Sequence, residues 1–106
     1  MAYLMVEYDR PTDTRNWTNY NGRVRGWIDQ LLGAPGARSF IAYRTADGRS
    51  PDTITMLEFG TLEEARNATA SEAVTAVLQG LRSLGAMPKV LLVERSPFTP
   101  EPLRPH

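Results

Sequence analysis

Glu7, Glu58 and Glu94 are the side chains best placed for acid–base work, since each stands near the end of an apolar run. Arg44 and Arg95 are their candidate charge partners across neighbouring strands. A carboxylate buried without a partner has a raised pKa, the property a general base needs near neutrality, whereas one held by an arginine is a structural ion pair at a rim. Residue types alone leave both readings open. Other chemistries are excluded by composition. The chain of 106 residues has no Cys, and its single His is His106 at the last position. Thiolate nucleophiles, a Ser-His-Asp set and a cysteine or histidine metal site are therefore unavailable, and no metal is expected. Gly33-Ala34-Pro35-Gly36 ends a predicted helix, where phosphate binding requires one to begin, and no dinucleotide fingerprint occurs.

The charge balance narrows the partners. Twelve Lys and Arg offset twelve Asp and Glu, so no overall basic field exists to hold a phosphate backbone, and nucleic acid is not an expected partner. Glu7, Asp9 and Arg10 interrupt the first apolar run, and no stretch approaches the ~18 apolar residues of a membrane span. The start, Met1 to Val6, lacks the basic and long apolar regions of a signal peptide, so a soluble cytoplasmic protein is expected. With 42% hydrophobic residues the chain can build one core, assigned to residues 1 to 95. Pro97, Pro100, Pro102 and Pro105 forbid ladder pairing in residues 96 to 106, which read as an extended Pro-rich tail with Phe98 and Leu103 as its only anchors.

The elements that must position any site follow from periodicity. Tyr3 to Tyr8 reads as a strand stopped by Asp9-Arg10-Pro11, with Leu4, Val6 and Tyr8 on one side and Tyr3 and Met5 on the other. Thr12 or Asp13 caps a helix whose stripe is Trp17, Tyr20, Val24, Trp27, Ile28, Leu31 and Leu32. Ser39 to Arg44 and Thr53 to Phe59 read as a hairpin around Asp47-Gly48 and Pro51. Thr61-Leu62-Glu63-Glu64 has the capping-box pattern, and a second helix runs from Leu62 through Ala65, Ala68, Thr69, Ala73, Val77, Leu81 and Leu84 to Gly85, with a kink predicted at Ser71-Glu72. Val90 to Glu94 is a last strand, apolar at both parities.

Strand, helix, strand, strand, helix, strand is the order of the split βαβ unit. It predicts an α+β, ferredoxin-like sandwich, an antiparallel four-stranded sheet with two helices on one face. The opposite face would carry Met5, Ile54, Met56 and Leu92 without cover. At ~25 cal/mol per Å² of apolar surface this favours association of two identical sheets, so a homodimer through the sheet face is expected.

Leu57-Glu58-Phe59-Gly60-Thr61-Leu62-Glu63-Glu64-Ala65, followed by Ser71, together with Pro35-Gly36 before the second strand, resembles the dimeric α/β-barrel superfamily. Within it, the chain is similar to domains of the antibiotic-biosynthesis monooxygenase type over most of residues 1 to 95. The resemblance implies a pocket between sheet and helices. Tyr8, Trp17 and Tyr20 are placed there as catalytic candidates, and Trp27, Tyr43, Phe59 and Arg44 as substrate-binding ones. Stacking surfaces and a phenol or indole donor would hold a planar substrate and its developing enolate. Two departures matter. Where many relatives carry a helix His, this chain has Ala68, so a His-dependent mechanism is excluded. The positions best matching the haem-degrading branch hold Tyr8, Ala68 and Leu78, which do not suit haem.

The resemblance thus implies a cofactor-independent monooxygenase-like enzyme acting on an aromatic or polyketide-like small molecule, with no cofactor. The alternatives are a noncatalytic dimeric ligand-binding or structural domain, in which the same aromatics fill the core, and an isomerase or lyase of the same superfamily.

Overall fold

Strict alternation along two strands sets the layers of the molecule. The computed structural model, which describes residues 1–106, has the order β1 (Ala2–Tyr8), α1 (Thr14–Leu32), β2 (Ser39–Arg44), a single 3₁₀ turn (Ala46–Gly48), β3 (Thr53–Phe59), α2 (Leu62–Thr69), α3 (Glu72–Ser83) and β4 (Lys89–Glu94). In β1 and β3 every second residue is buried and the ones between are half-buried. These two strands pair at the centre of a sheet ordered β2-β3-β1-β4, antiparallel throughout. This is the ferredoxin-like α+β arrangement expected from the order of elements. The helices all cover one face: α2 lies over β1, β3 and β4, and α1 packs on α3 and beside β2. No helix is long and apolar enough to cross a membrane.

Local chemistry fixes the helix ends. Asp13 caps α1 by accepting from the Asn16 amide (2.9 Å), Thr61 caps α2 by accepting from the Glu64 amide (3.1 Å), and Ser71 caps α3 by accepting from the Val74 amide (3.3 Å). The Glu64 carboxylate takes its bond from the Thr61 hydroxyl (3.3 Å) instead of from a backbone amide. The predicted kink at Ser71 is a full break, so the second helix is two, and α3 takes its own phase with Val74 fully buried. Gly85, at φ 85°, ends α3: its amide donates to the Arg82 carbonyl (3.0 Å) and the Ala86 amide to the Leu81 carbonyl (3.1 Å), a pair of bonds that satisfies two last-turn acceptors and needs a left-handed residue between them.

The core lies between the sheet and the helices, with Phe59, Leu4 and Val74 its largest fully buried side chains. Each contributes about 1.5 to 3 kcal/mol by leaving water. On the outer face, Ile41 stands opposite Met56, Met56 opposite Met5, and Met5 opposite Leu91, an apolar row across all four strands. Leu92, expected on this face, is instead opposite Leu4 and packs against the core; Leu91 and Val93 take the outer positions. Glu7 and Glu58 are on the outer face as expected, but neither pairs with an arginine. Ser39 Oγ donates to Glu58 (2.9 Å), and the ion pairs of the chain are Arg10 with Asp52 and Arg95 with Glu101. Beyond β4 the tail turns back on itself, with Arg95 Nη1 donating to the Pro100 carbonyl (2.8 Å), while Phe98 and Leu103 stay exposed.

Candidate functional site

One cavity of about 230 Å³ opens between α1, α3 and the β2–β3 side of the sheet, and thirteen of its sixteen lining residues are hydrophobic. It exists because the inner side of β2 is thinly furnished. Phe40 reaches the core, but Ala42 offers only a methyl group toward α1, and no side chain fills the space beside it. Val24, Trp27 and Ile28 of α1 form one wall and Val74, Val77 and Leu78 of α3 another.

The polar end is made where β1 and α1 approach. Tyr8 closes β1 and Tyr20 stands two turns into α1, and their hydroxyl oxygens are 2.6 Å apart, with the side chains 6% and 3% exposed. Either phenol can donate to the other, and in both arrangements one proton remains free for a third group. Burial raises the Tyr8 pKa beyond the ordinary tyrosine range, assisted by the bond to Tyr20 and the charge of Asp52. Burial raises Tyr20 as well, opposed by the Tyr8 bond and by Arg10, so Tyr20 is the member that better bears negative charge. At neutral pH both are uncharged donors. Tyr20 is also the hub of the aromatic side chains, edge-on to Tyr8 (6.1 Å, 62°) and to Trp27 (6.0 Å, 62°) and stacked on Trp17 (6.1 Å, 21°).

Of the residues singled out in the sequence, Tyr8, Tyr20, Trp27 and Arg44 line the cavity. Three do not. Trp17 lies one turn earlier on α1, 38% exposed, stacked on Tyr20 with the Arg10 guanidinium 5.3 Å from its ring centroid. Tyr43 is opposite Ile54 on the outer sheet face and 51% exposed, so it cannot share a pocket with Tyr8. Phe59 is fully buried at the far end of β3, opposite Ala2, where it packs the core. Two polar lining residues were missed, Thr53 and Thr55. The signal was the strand alternation itself, since Thr53 stands opposite Tyr8. Their hydroxyls are spent internally, Thr53 donating to Asp52 (2.8 Å) and Thr55 to the Val6 carbonyl (3.1 Å). Arg10, also missed, is held by Asp52, whose carboxylate lies 3.4 Å from its Nε and accepts from its backbone amide (3.1 Å). No His, Asp or Glu lines the cavity, and nowhere do three or more metal-ligating side chains converge.

No protein-family model matches the sequence, and no curated protein does. Solved structures do share its fold. An ethyl tert-butyl ether (EthD) family protein from Bacillus halodurans superposes with a TM-score of 0.69 at 16% identity, over 91% of this chain and 99% of that one. SnoaB, a cofactor-independent oxygenase from Streptomyces nogalater, gives 0.66 at 14% identity, over 94% and 98%. A structure named as an antibiotic biosynthesis monooxygenase gives 0.63 at 13%, over 92% and 100%. Monooxygenases of the type resembled in sequence are thus among its structural neighbours, and what this chain has in common with them is the ferredoxin-like α+β fold over nearly its whole length.

Proposed function

We propose that this chain is a homodimeric oxygenase that works without a bound metal or organic cofactor on a small hydroxyaromatic molecule held between α1 and the sheet. The observation that carries this reading is the buried pair of phenols, 2.6 Å apart, with one proton to give at the edge of a mostly apolar cavity. Such a donor suits an oxygen that gains charge as an aromatic ring becomes enolate-like, because it stays protonated and needs no reorganisation. The fold held in common with a cofactor-independent oxygenase supports it. A void of about 150 Å³ accommodates benzene. The cavity of about 230 Å³ therefore favours one or two rings over a larger polyketide-like skeleton.

In the balanced reaction a hydroxyaromatic and O₂ give a quinone and water. One oxygen atom becomes the second carbonyl, the other leaves as water, and the substrate supplies all four electrons. Tyr20, backed by Tyr8, donates to the substrate oxygen, while the walls of α1 and α3 exclude water. The second reading, a binding domain without catalysis, is favoured by a separate observation: the lining contains no carboxylate or imidazole, and both phenols stay protonated, so the protein brings no base of its own. Oxygen uptake with 1-naphthol in ¹⁸O₂ separates the two. Label in a quinone product, formed about a hundredfold or more slowly by Tyr20→Phe, is the expected result. Saturable naphthol binding with no oxygen consumption would leave the binding-domain reading.

A further inference from the structure

Three polar groups of the cavity form one row across the sheet. Arg44 stands opposite Thr53, and Thr53 opposite Tyr8, all three in the lining. With strands ~4.7 to 5.5 Å apart, the backbones of Arg44 and Tyr8 are about 10 Å from one another, a distance one small ring system can bridge. Their remaining capacities differ. The Thr53 proton goes to Asp52, and the phenol pair keeps one proton to give. Arg44 carries a full positive charge with no counter-charge: both ion pairs of the chain involve other arginines, and no carboxylate lines the cavity.

We infer that Arg44 binds the carboxylate of a small aromatic acid whose ring occupies the cavity and whose second oxygen meets the phenol pair. This rests on the reading above for the ring and adds the charge of the ligand. A guanidinium fork matches a planar carboxylate through two parallel hydrogen bonds. One positive charge balances a monoanion. A dianion such as a phosphate ester would leave one charge uncompensated against a mostly apolar lining. Arg44 lies exposed on the edge strand β2, so a ligand enters beside it without disturbing the core.

Calorimetric titration with 6-hydroxy-2-naphthoate and with its uncharged amide tests the assignment. The wild-type chain should bind the acid about ten- to a hundredfold more tightly, the worth of a charge-assisted hydrogen bond, and that preference should shrink as salt is added. Arg44→Gln should bring the acid to the level of the amide and leave the amide unchanged. Arg95→Gln, which removes the contacts to Glu101 and to the Pro100 carbonyl outside the cavity, should alter neither. An amide bound as tightly as the acid by the wild-type chain, or an acid preference that survives Arg44→Gln, overturns the role of Arg44 while the ring-binding reading stands. Failure of the folded wild-type chain to bind either compound overturns both. The salt series needs no variant, and an acid preference insensitive to salt counts against the assignment by itself.

Discussion

Gly80 of α3 lies directly under the indole of Trp27: a Cβ on Gly80 would come within 2.7 Å of Trp27 Cζ2. The cavity wall formed by Trp27 therefore depends on an absent side chain in the facing helix. Gly80→Ala should destabilise the protein, because overpacking against a rigid ring costs about 1 to 3 kcal/mol, more than the ~1 kcal/mol of helix propensity gained. Gly22→Ala and Gly26→Ala in α1 meet nothing within 4 Å and should each stabilise by about 0.4 to 1 kcal/mol. Thermal unfolding of the three variants checks the contrast, and equal shifts in all of them would dissociate Gly80 from the indole.

The phenol pair should behave non-additively. Tyr8→Phe leaves the Tyr20 hydroxyl without its buried partner and Tyr20→Phe does the converse, each costing about 1 to 3 kcal/mol. Replacing both removes the unpaired group as well, so the double variant should lose less than the sum of the single losses. Denaturant unfolding of the four proteins measures the coupling. Strict additivity would mean that the 2.6 Å contact contributes nothing.

Alkaline pH should destabilise the fold through the same residues. Both phenols have pKa values raised by burial, so the unfolded chain loses their protons first, as pH climbs past about 10. The stability they contribute is present in full below that pH and is lost above it, falling as pH rises toward the folded values. The Tyr8→Phe, Tyr20→Phe double variant should show a shallower decline above about pH 10. An unchanged slope would assign the alkaline transition to other groups.

The outer sheet face carries the proposed dimer. Ile41 and Tyr43 are 48% and 51% exposed there, and the row Leu91, Met5, Met56 and Ile41 crosses all four strands. Sedimentation should report a dimer. Met56→Glu, which sets a charge in the middle of that row, should shift it to monomer, since a buried unpaired carboxylate costs several kcal/mol. A wild-type monomer at micromolar concentration would remove the dimer from the proposal.

How much of this was legible depended on whether a segment carried phase. In β1 and β3 the inner and outer residues were readable together with the strands, and the Thr61 and Ser71 hydroxyls announced their helix starts. In β4, Val90, Leu91, Leu92 and Val93 are apolar at every position, so nothing in the sequence says which pair faces the helices, and the inner side taken by Leu92 is not legible there. Phe40, Ile41 and Tyr43 in β2 pose the same ambiguity, so the resemblance alone brings Tyr43 to the pocket while the register turns it outward. Val74 escaped the helical stripe because Ser71 restarts the count. The phenol contact was beyond reach, since it joins the end of a strand to a helix residue twelve positions later and rests on tertiary packing alone.

The alternation in the two central strands also makes length as constrained as composition. Deleting one residue from the middle of β3 would shift the rest by half a pleat repeat, turning Met56 and Ile54 toward the helices and Thr55 and Thr53 outward. Tyr8 and Arg44 would then face a different neighbour, and the row that joins them would be broken. Point substitutions at these positions are local events; a one-residue insertion or deletion in either strand reverses the facing of every residue beyond it in that strand, so gaps between related chains should fall in the Ala46–Gly48 turn and in the tail, outside β1 and β3.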